Sequence, residues 1–85
     1  MAEKVKVYGA DWCGDCRLAK KVLGKLAVDY DWFDVEADES LKAKAIEISG
    51  QMHIPVVVYP DGSFQVEPSA TDLKQKTAEL ALSAN

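Results

Sequence analysis

Stretches of apolar and polar residues divide the chain into alternating strands and helices. Short runs rich in β-branched and aromatic residues favour strands, whereas apolar residues three or four positions apart predict helices. The patterns predict, in order, a strand at residues 5–8, a helix at 14–27, a strand at 29–35, a helix at 39–48, strands at 54–59 and 64–66, and a helix that begins after Ser69. The predicted element order is therefore β-α-β-α-β-β-α.

The helical segments carry their apolar residues on one side. The first helix is predicted to bury Leu18, Ala19, Val22, Leu23 and Leu26, and to expose Arg17, Lys20, Lys21 and Lys25. The last helix is predicted to bury Leu73, Leu80 and Ala81. Its N-cap is predicted to be Ser69, with Asp72 as an imperfect capping-box partner.

The element order also predicts a mixed sheet. A strand–helix–strand unit with the usual right-handed crossover makes the first two strands parallel. The last two strands flank a turn signal, Pro60-Asp61-Gly62-Ser63, so they are expected to be antiparallel. We expect one α/β domain over residues 1–85, with a four-stranded mixed sheet and helices on its faces.

Composition and charge exclude several classes of function. The chain has 85 residues and a net charge of −4, so a basic nucleic-acid-binding protein is not expected. No apolar run approaches the roughly 18 residues of a membrane span. The first six residues hold no continuous apolar segment of the signal-peptide type. We therefore expect a cytoplasmic protein with neither nucleic-acid nor membrane partners.

The chain holds two cysteines, Cys13 and Cys16, and they lie in one tetrapeptide. A disulfide across so short a loop constrains the unfolded chain by only about 2 kcal/mol, which is little for a structural bridge. A Cys-x-x-Cys pair in such a chain more often performs redox chemistry or binds metal. A metal site needs further ligands, and the only histidine is His53. Thiol–disulfide exchange is therefore favoured, and no metal-ligating residue is predicted.

Three segments resemble the glutaredoxins, within the thioredoxin-fold superfamily. Trp12-Cys13-Gly14-Asp15-Cys16 lies between the first strand and first helix, and Ile54-Pro55 opens the third strand. The third segment comprises Asp61-Gly62-Ser63 and then Glu67-Pro68-Ser69-Ala70-Thr71-Asp72 before the last helix. The chain is most similar to mycoredoxin-like and other actinobacterial-type glutaredoxins. This resemblance implies a thioredoxin-like, three-layer α/β/α fold.

The resemblance implies a dithiol active site. Cys13, at the predicted helix N-terminus where negative charge is favoured, is expected to attack the substrate, and Cys16 to resolve the mixed disulfide. Pro55 is expected to be cis and to present the Ile54 backbone to an extended substrate. The remaining residues expected to contact substrate are Trp12, Gly14, Asp15, Arg17, His53, Ser69, Ala70, Thr71 and Asp72.

Several of these residues also have purely structural interpretations. The Asp15 charge suits a helix start, although it opposes a nearby thiolate. Trp12 is expected to be exposed beside the substrate sulfur, and the alternative is packing against the helix. His53 fits a surface loop equally well. Ser69 and Asp72 fit an ordinary helix cap, whereas the resemblance assigns the helix start to the carboxylate and ammonium of a thiol tripeptide.

The chain departs from the family pattern where a small thiol would bind. It has His53-Ile54-Pro55 in place of Thr-Val-Pro, and Glu67-Pro68-Ser69 in place of paired glycines. Gly14-Asp15 stands where Pro-Tyr or Gly-Tyr is common. The resemblance still implies no tightly bound cofactor and a low-molecular-weight thiol, glutathione or mycothiol-like, as cosubstrate.

The resemblance also implies a monomer that reduces protein disulfides or mixed disulfides. Two alternatives stay open. One is a dithiol reductant recharged by a thioredoxin-reductase-like flavoenzyme. The other is a non-enzymatic metal or iron–sulfur cluster module in which two chains each donate Cys13.

Overall fold

A computed structural model describes residues 4–82 of the chain. Its elements are β1 (Val5–Gly9), α1 (Gly14–Lys25), β2 (Tyr30–Asp34), α2 (Glu39–Ser49), β3 (Val56–Val58), β4 (Phe64–Val66) and α3 (Ala70–Glu79). The predicted order β-α-β-α-β-β-α is confirmed. Within residues 4–82, no helix is long and apolar enough to cross a membrane.

The four strands form one mixed sheet in the order β2-β1-β3-β4. β1 and β2 are parallel, with Val7 opposite Trp32. β1 and β3 are antiparallel, with Val7 opposite Val57, and β3 and β4 are also antiparallel. The predicted strand directions are therefore correct.

Alternation along the strands divides the core into two layers. Val5, Val7 and Val57 face α1 and α3, where they pack with Leu23 and Leu73. The intervening residues face the other side of the sheet, where Tyr8 and Val56 pack with Ala45 of α2. Successive side chains of a strand point to opposite faces, so the sheet is covered by helices on both. The predicted three-layer α/β/α architecture is thus confirmed.

Two helices end earlier than predicted, for the same reason. After α1, Ala27 adopts a φ of 56°, and the amide of Val28 donates to the carbonyl of Leu23. After α3, Ala81 adopts a φ of 54°, and the amide of Leu82 donates to Thr77. Both ends are Schellman motifs in which alanine occupies the position that glycine favours. Because neither position holds a glycine, the sequence did not indicate where these helices end.

Two predictions of burial, for Ala81 and Leu18, are wrong. Ala81 lies beyond α3 and is exposed. The side chain buried one turn after Leu73 is instead Thr77, whose hydroxyl is satisfied by donating to the Leu73 carbonyl at 2.8 Å. Leu18 of α1 is 38% exposed and lies at the edge of the apolar face. Leu80 is only partly buried and packs at the margin of the core.

The strand ends also differ from the prediction, in a way that shapes the site. β1 continues through Gly9, which pairs with Asp34, whereas the predicted strand ended at Tyr8. β3 begins at Val56, because Pro55 has no amide hydrogen with which to join the ladder. β2 is shorter by one residue at each end than the predicted 29–35.

A polar chain, formed by two consecutive side-chain hydrogen bonds, attaches the start of α3 to the β3–β4 hairpin. The Tyr59 hydroxyl donates to Gln65 Oε1 at 2.6 Å, and Gln65 Nε2 donates to the Asp72 carbonyl at 3.3 Å. Burial, with a smaller contribution from the Asp72 charge, raises the pKa of Tyr59. The hydroxyl therefore remains a neutral donor, and this polar chain positions the segment between β4 and α3.

Gly9 is required by close packing. A Cβ at this position would lie 2.6 Å from Cys16 Sγ and 2.9 Å from the Trp32 ring. We expect Gly9→Ala to lower the free energy of unfolding by about 1–3 kcal/mol, because an added carbon forces neighbours to shift. Urea denaturation of the reduced protein measures this. Gly24→Ala is the matched control, since nothing lies within 4 Å of its added carbon and it should stabilise α1. An unchanged midpoint for Gly9→Ala would contradict the packing argument.

Candidate active site

Segments distant in sequence meet at one edge of the sheet. Because β1 and β2 are parallel, the residues that follow them, including Cys13 and Glu36, emerge at the same edge. β3 runs the opposite way, so the residues that precede it, including Pro55, begin there. The topology thereby brings together three loops. The first carries Trp12 and Cys13, and the third carries His53, Ile54 and Pro55.

Cys13 is the N-cap of α1. Its backbone is extended, with φ −80° and ψ 120°, and its Sγ accepts a hydrogen bond from the Cys16 amide at 3.3 Å. Its own amide donates to the Ala10 carbonyl at 3.2 Å, which closes the preceding turn. N-caps are usually Ser, Thr, Asp or Asn, whose oxygen accepts from the first turn. Here sulfur takes that place, and a thiolate is a stronger acceptor than a thiol.

Cys16 is the buried member of the pair. It is 0% exposed and lies on α1 against Gly9. Burial, followed by the hydrogen bond with Cys13, raises the pKa of Cys16 to about 12, while a backbone hydrogen bond from Ala10 acts in the opposite direction. Both cysteines are free thiols, and Cys13 is the more exposed. The arrangement thus provides one accessible sulfur and one sheltered sulfur on the same helical turn.

The Ile54–Pro55 segment faces the accessible cysteine. The peptide bond between these residues is cis, as expected. The Ile54 carbonyl oxygen lies 3.9 Å from Cys13 Sγ, and Pro55 is buried beneath the segment. The predicted juxtaposition of Ile54 and Pro55 with Cys13 is therefore present.

His53 lies in an exposed loop, as the structural interpretation expected, and it lies beside Glu67. Its Nδ1 is 3.6 Å from Glu67 Oε1, and both side chains are largely exposed. The Glu67 amide donates to the Pro55 carbonyl at 2.9 Å, and Glu67 has a φ of 51°. This contact joins the segment before α3 to the cis-proline segment. Sequence analysis assigned no role to Glu67 itself, because its partner His53 lies in another loop.

Trp12 lies in the loop between β1 and α1, directly before Cys13. It is 67% exposed, as expected, and its Nε1 donates to Glu36 Oε1 after β2. Sequence analysis missed Glu36, because nothing local marks a residue whose partner lies 24 positions away. The hydrogen bond attaches the loop that carries Cys13 to the end of β2.

The first turn of α1 is open to solvent. A Cβ added at Gly14 would meet nothing within 4 Å, and Asp15 is exposed. Arg17 is also exposed, and its Nη1 donates to the Asp11 carbonyl at 3.4 Å. The Asp11 carboxylate binds Lys20 at 3.2 Å, so two basic residues of α1 fasten the loop before Cys13.

The start of α3 forms a complete capping box. Ser69 Oγ accepts from the Asp72 amide at 3.1 Å, and Asp72 Oδ2 accepts from the Ser69 amide at 3.1 Å. The expectation of an imperfect box is therefore wrong, because the aspartate side chain reaches back fully. Ala70 packs against the core and Thr71 is exposed. Among residues 4–82, no hydrogen bond joins Ser69–Asp72 to the Cys13 loop.

The acidic residues near the site do not form a metal cage. In the described part of the chain, no three His, Cys, Asp or Glu side chains come close enough together to hold a metal ion.

The glutaredoxin family model matches residues 5–64 of the chain, which include both cysteines and Ile54-Pro55. The chain belongs to the glutaredoxin family. Mycoredoxin 1 from Corynebacterium glutamicum is 33% identical over 78 residues, which cover 91% of this chain and 96% of that protein. Its place in the family makes this glutaredoxin a thiol–disulfide oxidoreductase. The match ends before Glu67, so the segment that leads into α3 lies outside it.

Solved structures support the same fold. The glutaredoxin of Archaeoglobus fulgidus superposes with a TM-score of 0.76 at 26% identity, over 85% of this chain and 83% of that one. A buckwheat glutaredoxin–glutathione complex superposes with a TM-score of 0.67 at 20% identity, over 92% of this chain and 71% of that one. At 20% identity, the similarity to the buckwheat protein establishes only that the two proteins share a fold.

The capping role of Cys13 predicts how its variants fold. Cys13→Ser keeps a good N-cap oxygen and should leave the free energy of unfolding nearly unchanged. Cys13→Ala leaves the first-turn amide without its acceptor and should be less stable than Cys13→Ser by about 1 kcal/mol. Urea denaturation of both variants under reducing conditions measures the difference. Equal midpoints would show that the Cys13 side chain does not cap α1.

The contrast between the two sulfurs predicts selective alkylation. Because the pKa of Cys16 is raised to about 12 and its side chain is 0% exposed, it should not react with iodoacetamide at pH 9 while the protein is folded. Mass spectrometry should find one adduct on the folded protein and two after unfolding. Folded Cys13→Ser, whose remaining thiol is Cys16, should gain none. Two adducts on the folded wild type would contradict the assignment of Cys16 as sheltered.

Proposed function

We propose that this glutaredoxin reduces protein disulfides or mixed disulfides through a dithiol cycle, with Cys13 as nucleophile and Cys16 as resolving thiol. The observation that carries the proposal is the shared first turn of α1. Cys13 Sγ is accessible and accepts the Cys16 amide hydrogen bond, whereas the Cys16 side chain is fully buried. The geometry supports attack by the first sulfur and shelters the second until a mixed disulfide has formed.

The cycle transfers two electrons and two protons. The Cys13 thiolate attacks one sulfur of the substrate disulfide, and the other sulfur leaves as a thiolate that takes up a proton from solvent. Cys16 then loses its proton and attacks Cys13 Sγ, which expels the second substrate thiol. The substrate ends as two thiols, and the protein ends with a Cys13–Cys16 disulfide.

Residues around Cys13 are proposed to hold the substrate. The Ile54 backbone, beside Cys13 Sγ, would pair with an extended substrate as an added strand. Trp12 and His53 would contact the substrate beside that backbone. Gly14 leaves room for the substrate. The exposed carboxylate of Asp15 would repel negative charge on the Cys13 sulfur. Arg17 would favour an anionic substrate on the α1 side, although its side chain also fastens the Asp11 loop.

A low-molecular-weight thiol, glutathione or mycothiol-like, is the proposed reductant of the Cys13–Cys16 disulfide. Two equivalents of thiol restore the two protein thiols and leave as a small disulfide. The backbone amides of Ala70 and Thr71, in the first turn of α3, are proposed to donate hydrogen bonds to the carboxylate of the small thiol. Asp72 is the proposed ammonium partner and Ser69 a further hydroxyl donor. We further propose that the protein acts as a single-domain, cytoplasmic monomer.

One observation favours a second reductant, a flavin-dependent reductase. The Ser69 hydroxyl and the Asp72 carboxylate already hydrogen-bond each other's backbone in the capping box. These groups are therefore less available to a small thiol. A coupled assay separates the two routes. Oxidised protein is offered either each small thiol with its own reductase, or the flavoenzyme with NADPH.

The cysteine variants test the proposed roles. Cys13→Ser should lose activity on every disulfide, to below about a thousandth of wild type, because the exposed sulfur is gone. Cys16→Ser should still reduce mixed disulfides of a small thiol, since a second small thiol can release the first. It should fail to reduce protein disulfides catalytically and should accumulate a covalent protein–substrate complex, visible on a non-reducing gel. Activity retained by Cys13→Ser would refute the assignment.

A further inference from the structure

A cavity of about 310 Å³ opens beside the active site, between α2 and the segment that leads to Pro55. We call it the α2 pocket. Its apolar lining consists of Trp12, Val35, Ala45, Ile46, Met52 and Ile54. Val35 and Ala45 form its buried floor, whereas Met52 is 75% exposed at its mouth. Of all the residues that line the pocket, Trp12, His53 and Ile54 were expected to contact substrate.

The α2 pocket is continuous with the reacting sulfur. Trp12 directly precedes Cys13, and the Ile54 carbonyl lies 3.9 Å from Cys13 Sγ. Both residues also line the pocket. A group carried by the sulfur that Cys13 attacks is therefore held next to this cavity during the reaction.

The lining favours an apolar group over an ion. The charged residues at the α2 pocket, Glu36 and Lys42, are opposite in sign and offset each other. Its other polar residues are Gln51 and His53, and His53 already lies 3.6 Å from Glu67 Oε1. The Glu36 carboxylate already accepts a hydrogen bond from Trp12 Nε1. Covering the exposed apolar surface of Trp12 and Met52, by contrast, is favourable because it removes that surface from water. An anionic thiol would bind weakly here, whereas a leucine or phenylalanine side chain would be stabilised by burial.

We propose that the α2 pocket binds an apolar side chain of a client polypeptide, located within two residues of the client's reactive cysteine. The proposal rests on the proposed function and names its preferred substrate class. An extended polypeptide beside Ile54 projects side chains on both faces at regular spacing, so one of them can enter the cavity. The pocket would thereby select protein clients by the residues that flank their cysteine.

A set of short peptides tests this selectivity. Each peptide carries one cysteine as a mixed disulfide with nitrothiobenzoate, flanked by serines, with leucine or phenylalanine at one of the four positions within two residues. Cys13 attacks the peptide sulfur and releases coloured nitrothiobenzoate, after which Cys16 attacks Cys13 Sγ and releases the peptide thiol. With the wild-type protein, we expect at least one apolar position to raise the second-order rate constant about tenfold over the all-serine peptide.

Surface variants locate the effect. Met52→Ser removes apolar surface at the mouth, and Ile46→Ser removes it from the wall. Each should lower the ratio of apolar-peptide to all-serine rates at least threefold. Phe64→Ser is the matched control, because Phe64 is an exposed apolar residue of β4, 43% accessible, that does not line the pocket. It should leave the ratio unchanged, and thermal denaturation should find all three variants folded.

The outcomes distinguish this proposal from the one on which it rests. Equal rates for all peptides, with nitrothiobenzoate released by each, would overturn the pocket and leave the dithiol function standing. A preference that Met52→Ser and Ile46→Ser leave intact, or that Phe64→Ser reduces as strongly, would also overturn it. Release from none of the peptides would contradict the dithiol function itself, and the pocket with it.

Discussion

The hydrogen bond from the Cys16 amide to Cys13 Sγ is the interaction on which the site depends. The Cys13 sulfur takes the place of the oxygen that normally caps a helix, so the same side chain both caps α1 and carries the reactive sulfur. Negative charge on that sulfur strengthens the bond and is favoured by the helix dipole. The exposed first turn, with Asp15 in solvent, leaves the sulfur open to a partner.

The rest of the fold holds this turn against the cis-proline segment. Gly9 ends β1 and lets the Cys16 sulfur and the Trp32 ring approach the backbone. Antiparallel pairing of β1 with β3 then places Ile54 across from Cys13. The loop between β1 and α1 is held by the hydrogen bond from Trp12 to Glu36 and by the ion pair between Asp11 and Lys20. Reactivity thus follows from packing distant in sequence as well as from the Cys-x-x-Cys spacing.

Local signals predicted most of the architecture, and nonlocal contacts account for most of what was missed in the site. Strand alternation, the amphipathic pattern of α1 and the Pro60-Asp61-Gly62 turn were sufficient for element order and strand direction. The ends of α1 and α3 were missed because alanine occupies the left-handed position. Glu36 and Glu67 were missed because their partners come from other loops. The α2 pocket could not be foreseen, since its lining combines four separate segments.

The Cys16 amide offers the most direct test of the account. Its proton and nitrogen chemical shifts can be followed by NMR across a pH titration of the reduced protein, while ultraviolet absorbance reports thiolate formation at Cys13. The account predicts that the amide signal shifts in step with Cys13 ionisation, and that it does not titrate in Cys13→Ser. A Cys16 amide that stays unchanged while Cys13 ionises would contradict the central role of this hydrogen bond.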